Sequence, residues 1–190
     1  MFNYTVVGID QSLTATGLAL IYSDKIIMAP ESPRYCTTAL KPTKERGIER
    51  LMYIEKAVER WIPTGTELAV MEGYAMGIRN GQVFSLGECG AIIKRTVFLR
   101  GIPLISVAPG TLKKYVSGNG AAKKNLMLLA AYKKFGVTFD DDNECDAYCM
   151  ARLGQDYLDA SAGNMPAGFK DTYKAVVKYN VKLAGGDVDE

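Results

Sequence analysis

The chain has 190 residues, 48% apolar and 23% charged, with a net charge of +2 and no histidine; this is ordinary composition for one globular domain with a real core. No apolar run approaches the roughly 20 residues needed to cross a bilayer, and no CxxC pair links Cys36, Cys89, Cys145 and Cys149, so zinc chemistry and histidine general-base mechanisms are disfavoured. MFNYTVVGID runs directly into a strand pattern without a signal peptide, so a cytoplasmic protein with reduced thiols and no membrane partner is expected.

In chain order, residues 4–10 (YTVVGID), 16–24 (TGLALIYSD) and 25–31 (KIIMAPE) have the apolar, β-rich pattern of three successive strands. Pro33, Pro42 and several small polar residues make 32–47 a predicted loop. ERGIERLMYIEKAVERWI then places Ile48, Leu51, Ile54 or Glu55, Val58 and Ile62 at helical spacing until Pro63 and Gly65 stop it. Residues 67–73 (ELAVMEG) predict a buried strand, 81–101 a helix despite Gly87 and Gly90, and 102–109 a further strand. Helices are predicted over 109–116 and 121–135, and another begins near Asp142. The tail from Ala160 is Gly-rich, and its YKAVVKYNVKLA alternates weakly, so 161–190 reads as an extension carrying an added strand or a partner-contacting arm. The order is that of a mixed α/β protein.

Charge is distributed unevenly. Met1 to Glu88 carries nine Lys/Arg and ten Asp/Glu; Cys89 to Phe139 carries nine Lys/Arg and no acid; Asp140 to Glu190 carries five and eleven. An acid-free basic block beside the knot Asp140, Asp141, Asp142, Glu144 and Asp146 suggests a polyanion held near a metal site, against the plainer reading of solvated helix faces. Asp10 ends the first strand and Glu72 the fourth, and Asp146 lies one turn into a late helix. Residues leaving the carboxyl ends of neighbouring parallel strands converge on one crevice. Carboxylates crowded there without histidine repel one another unless a divalent cation neutralises them, and hard oxygen donors suit Mg2+ or Mn2+. The knot is expected to form a metal cup and the basic block to clamp phosphates. The plainer alternatives are a turn at Asp10, a solvated strand end at Glu72 and helix caps among Asp140, Asp141 and Asp142.

VVGIDQSLTATGLAL, AVMEGY, APGTLKKYVSGNGAAKK and DNECDAYCMARLG occur in the order and approximate spacing of the RuvC family of Holliday junction resolvases, which the chain resembles over residues 4–155, in the manner of a bacteriophage member. The resemblance implies a ribonuclease H-like domain over residues 1–160, a homodimer, and an endonuclease that nicks four-way DNA junctions symmetrically with two Mg2+ ions per active site. For a phage protein the site of action would be the host cytoplasm. Carried over by motif, Asp10, Glu72 and Asp146 fall on the catalytic, metal-binding carboxylates. The family's fourth position, usually aspartate or histidine, is Asn143 here, with Asp142 an alternative ligand on the same helical face. Lys113 and Lys124 match two lysines near DNA, with Lys114 and Lys123 beside them, and Tyr74 lies near an aromatic that stacks on an unpaired base. A branched-DNA binder that has lost catalysis, a nuclease relaxed to forks and flaps, and an actin-like phosphotransferase remain alternatives.

Overall fold

The computed structural model describes residues 4–22, 34–73 and 82–184. Three strands, β1 (Thr5–Asp10), β2 (Thr16–Tyr22) and β3 (Tyr35–Leu40), are followed by α1 (Gly47–Trp61), β4 (Leu68–Glu72), α2 (Gln82–Leu99) and β5 (Leu104–Val107). The remainder is helical: α3 (Pro109–Ser117), α4 (Lys124–Phe135), α5 (Asp142–Ser161) and α6 (Lys170–Leu183). The sheet order is β3-β2-β1-β4-β5, with β1, β2 and β3 antiparallel in turn and β1, β4 and β5 parallel. This mixed five-stranded sheet flanked by helices is the ribonuclease H-like arrangement expected.

Strand alternation sorts the core into two layers. Val7 and Ile9 pack with Leu51, Ile54 and Val58 of α1 and Ile93 and Val97 of α2. Val6 and Val70 pack on the other face with α5 and with residues of α3, α4 and α6. The central helix α5 lies against β1 and β2, and two glycines set how closely. A Cβ on Gly8 would stand 1.9 Å from the Ala147 carbonyl oxygen, and one on Gly17 would stand 2.1 Å from that of Asn143. No side chain fits at either point, so the first turns of α5 sit directly over the ends of β1 and β2.

Two sequence expectations need correction. The stretch expected as a loop contains β3, a half-exposed edge strand (YCTTAL) hydrogen-bonded to β2. It lacks the buried apolar run that marks the inner strands, so periodicity passes over it. The described part of the extension, expected to carry an added strand or a partner-contacting arm, contains helix α6 in place of a strand. Its Val-rich alternation conceals Tyr173, Val176 and Asn180 at helical spacing; Val176 is buried, and Asn180 donates to the Ser106 carbonyl of β5 and accepts from its N–H, both at 2.8 Å. The strand expected at 25–31 lies outside the described residues.

Candidate active site

β1 and β4 run parallel with Ile9 opposite Met71, so the next pair in register is Asp10 and Glu72. Each has the parity of Val6 and Val70 on its own strand, and both therefore face the α5 side of the sheet. Asp146 comes from the second turn of α5. Burial, then repulsion from Glu72, Asp146 and Asp142, raises the Asp10 carboxyl to about 8 against a small opposing effect of Lys124. Glu72 is raised to about 7 by burial and Asp146, with Lys113 acting the other way. Burial and Asp142 raise Asp146 to about 6, opposed by Lys124 and Lys113. Three acids from three distant segments thus share one poorly hydrated crevice, with two lysines at its rim.

The donor set, all hard carboxylate oxygens, suits a divalent cation. Among the described residues, none of the groups of acids and thiols is drawn together closely enough to form a ready ligand set. The acids share the crevice without already standing at ligand spacing.

The acidic knot does not act as a unit, which corrects the expectation of a metal cup formed by it. Asp141 caps α5, its side chain accepting from the Asn143 N–H at 2.9 Å, and it pairs with Lys41 at 2.7 Å. The Lys41 bond and the cap together hold its carboxyl down at about 2. Glu144 accepts a 2.5 Å hydrogen bond from Thr37 Oγ1 of β3. Asp142 pairs with Lys124, so this ligand candidate already has a cation. The other, Asn143, turns its side-chain nitrogen onto Asp141 Oδ1 at 2.9 Å. Of the acids in the knot, Asp146 alone both acts on Asp10 and Glu72 and forms no ion pair or side-chain hydrogen bond among the described residues.

The basic block also divides. Arg95 pairs with Glu55 at 2.9 Å, and Arg100 donates to the carbonyls of Glu59 and Ile62, fastening α2 to α1. Lys134 lies 3.4 Å from the Tyr115 ring centroid and donates to the Tyr115 carbonyl. For these residues the structural reading holds. Lys113 and Lys124 alone exert resolved effects on the crevice acids, while Lys114 and Lys123 are exposed. Tyr74 lies outside the described residues.

Sequence reasoning missed Gln11. It directly follows Asp10, is only 8% exposed, and its Oε1 is buried without a hydrogen-bond partner among the described residues. A polar side chain immediately after a strand-ending acid is the available signal. The turn beyond it is held by Ser12, whose Oγ accepts from the Thr14 and Ala15 N–H groups at 3.3 and 3.2 Å, and whose carbonyl accepts from Thr16 Oγ1.

No family model matches the chain. The crossover junction endodeoxyribonuclease RuvC of Neorickettsia sennetsu is 27% identical over 125 residues, 64% of this chain and 73% of that protein. The Mycobacterium avium RuvC is 29% identical over 122 residues, 63% of each. Thermus thermophilus RuvC superposes with a TM-score of 0.65 at 20% identity, covering 84% of this chain and 97% of that one. The chain is RuvC-like in sequence and in fold. The same Thermus protein in complex with Holliday junction substrate matches equally well, also with a TM-score of 0.65. The RuvC likeness spans somewhat under two thirds of the mycobacterial relative, and the fold likeness reaches further along the chain than the sequence likeness does.

Proposed function

We propose that this RuvC-like chain is a metal-dependent endodeoxyribonuclease that resolves four-way DNA junctions by paired nicks. The observation that carries the reading is the crevice itself: Asp10, Glu72 and Asp146, raised by burial and mutual repulsion, with Lys113 and Lys124 at the rim. The similarity to proteins named crossover junction endodeoxyribonuclease supports the choice of substrate.

Asp10, Glu72 and Asp146 would hold two Mg2+ ions, with Mn2+ able to replace them. Such ions supply Lewis acidity toward the attacking water and the departing oxygen. Asp10 and Asp146 orient the water from the strand end and the helix, while Glu72 faces the leaving side. Lys113 and Lys124 attract the scissile phosphate and offset the negative charge that builds on it. The new bond joins the water oxygen to phosphorus as the P–O3′ bond breaks, leaving a 5′-phosphate and a 3′-hydroxyl. Asn143 carries no charge and takes no part as a base.

Two nicks related by symmetry require two such crevices, and we propose a homodimer. Phe84 and Phe98, about four helical turns apart on nearly one face of α2, are 79% and 78% exposed, an apolar surface of the kind that associates. Sedimentation at micromolar concentration tests this, and a monomer that cuts both strands would refute it.

The deciding experiment incubates the protein with end-labelled four-way junctions, forks and linear duplex, with magnesium and with chelator. Paired symmetric nicks on junctions, absent in chelator and absent for Asp10→Asn, are expected. Nicks on forks and flaps as well would define the relaxed variant. The neutral Asn143, committed to Asp141, favours as second reading a branched-DNA binder with weak catalysis; junction binding without nicking in Mg2+ or Mn2+ identifies it. Nucleotide hydrolysis without DNA would instead support an actin-like phosphotransferase.

A further inference from the structure

Helix α6 carries Lys170, Lys174, Lys178 and Lys182, one lysine at every fourth position along its length. All four are exposed, and none forms an ion pair among the described residues. At ~100° per residue the row crosses the side of the helix opposite buried Val176. The inward stripe is spent on the fold: Phe169 and Val176 join the main core cluster, and Asn180 is bound at both ends to the Ser106 backbone. At Gly73, the residue after Glu72, an added Cβ would lie 2.1 Å from the Tyr179 hydroxyl, so α6 is seated against the strand end that carries Glu72. The lysine row therefore has a fixed position relative to the crevice.

We propose that this row is a second, sequence-independent DNA surface that holds the phosphate backbone of a duplex arm leading away from the cut site. This rests on the reading of the crevice as a junction nuclease. The row spans about 18 Å at ~1.5 Å per residue, a length over which duplex DNA presents on the order of ten backbone charges. Lysines are mobile point charges that meet phosphates without reading bases. Asp171 is the one acid within the helix, and it leaves the row strongly positive. A membrane surface would recruit the same charges, but it would also need an apolar face to insert. Here Phe169 and Val176 are buried against the sheet, and the large apolar side chains that α6 leaves most exposed, Val181 and Leu183, lie at its C-terminal end rather than forming a face along the row, so duplex DNA is the better fit.

The test replaces all four lysines by glutamine in the full chain, a change that keeps helix propensity. Binding to junctions with long arms and with arms too short to reach α6 is measured in chelator across a salt series. The wild type should lose affinity more steeply with salt on long arms, by a log–log slope larger by about 2 to 4. At about 50 mM salt the variant should bind long-arm junctions on the order of 10- to 100-fold more weakly. Short-arm affinity and the single-turnover nicking rate at saturating protein should be unchanged, and the four-arginine variant should restore binding. Equal slopes for variant and wild type on long arms, with α6 intact by circular dichroism, overturn the proposal while the nuclease reading stands. So does a variant that loses only its binding to phosphatidylserine vesicles. A wild type that binds no junction at any salt overturns both.

Discussion

Replacing Asp10 by asparagine should stabilise the metal-free protein at alkaline pH while abolishing cleavage. The carboxyl is carried from an ordinary 3.8 to about 8 in the fold, so the folded state binds its proton more tightly than the unfolded chain does. Its favourable contribution is complete below about pH 4 and is lost as pH rises through about 8. At ~1.4 kcal/mol per tenfold, the loss at pH 8 has a ceiling of about 5 kcal/mol. Burial of the charge is the larger cause and the repulsion is shared with Glu72 and Asp146, which leaves about 2 to 4 kcal/mol for Asp10 alone. For a chain of this size that corresponds to a melting temperature roughly 5 to 15 °C higher for Asp10→Asn at pH 8 in chelator. The gain should vanish near pH 4, and magnesium should reverse it by stabilising the wild type more than the variant. The assay is thermal denaturation monitored by circular dichroism across that pH range, with and without magnesium. A variant that melts with the wild type at pH 8 in chelator would refute the crowded-carboxylate argument, whatever happened to cleavage.

Gly8→Ala places a methyl 1.9 Å from the Ala147 carbonyl oxygen; α5 must lift, costing about 3 kcal/mol or more in urea denaturation and cutting nicking in proportion to the displacement of Asp146. Asp141→Ala removes the α5 cap and the Lys41 pair at a cost of about 1 kcal/mol. Because the Asp141 carboxyl is held down at about 2, that difference should be present above pH 4 and disappear as pH falls from about 4 to 2 in the same melts. Lys124→Met takes a positive charge from the crevice rim and should slow single-turnover nicking about 10²- to 10³-fold. Asp142→Asn, whose carboxylate already faces Lys124, should keep most magnesium-dependent stabilisation, whereas Asp146→Asn should lose it; equal losses in a metal titration would make Asp142 a ligand.

Much of the fold was legible from the sequence because its inner elements announce themselves. Three buried strands have unbroken apolar runs, and the helices have 3.6-residue periodicity with proline or glycine at their ends. The elements misread were the marginal ones. β3 is an edge strand with little burial to pattern it, and in α6 a single buried valine sits among others that mimic alternation. The acids of the crevice were legible too, since Asp10 and Glu72 each end an apolar strand and Asp146 interrupts an apolar helix face.

Composition and order alone determined that acids without histidine would sit at the ends of parallel strands, where chain polarity and strand parity leave few alternatives. Which acids of the knot enter the crevice was decided only by the tertiary structure. Asp141, Asp142 and Glu144 are claimed by Lys41, Lys124 and Thr37, partners 18 to 107 residues away in the chain. The depth at which α5 meets the sheet depends on the missing side chains of Gly8 and Gly17. Contacts of that kind are formed by folding, and local sequence carries no trace of them.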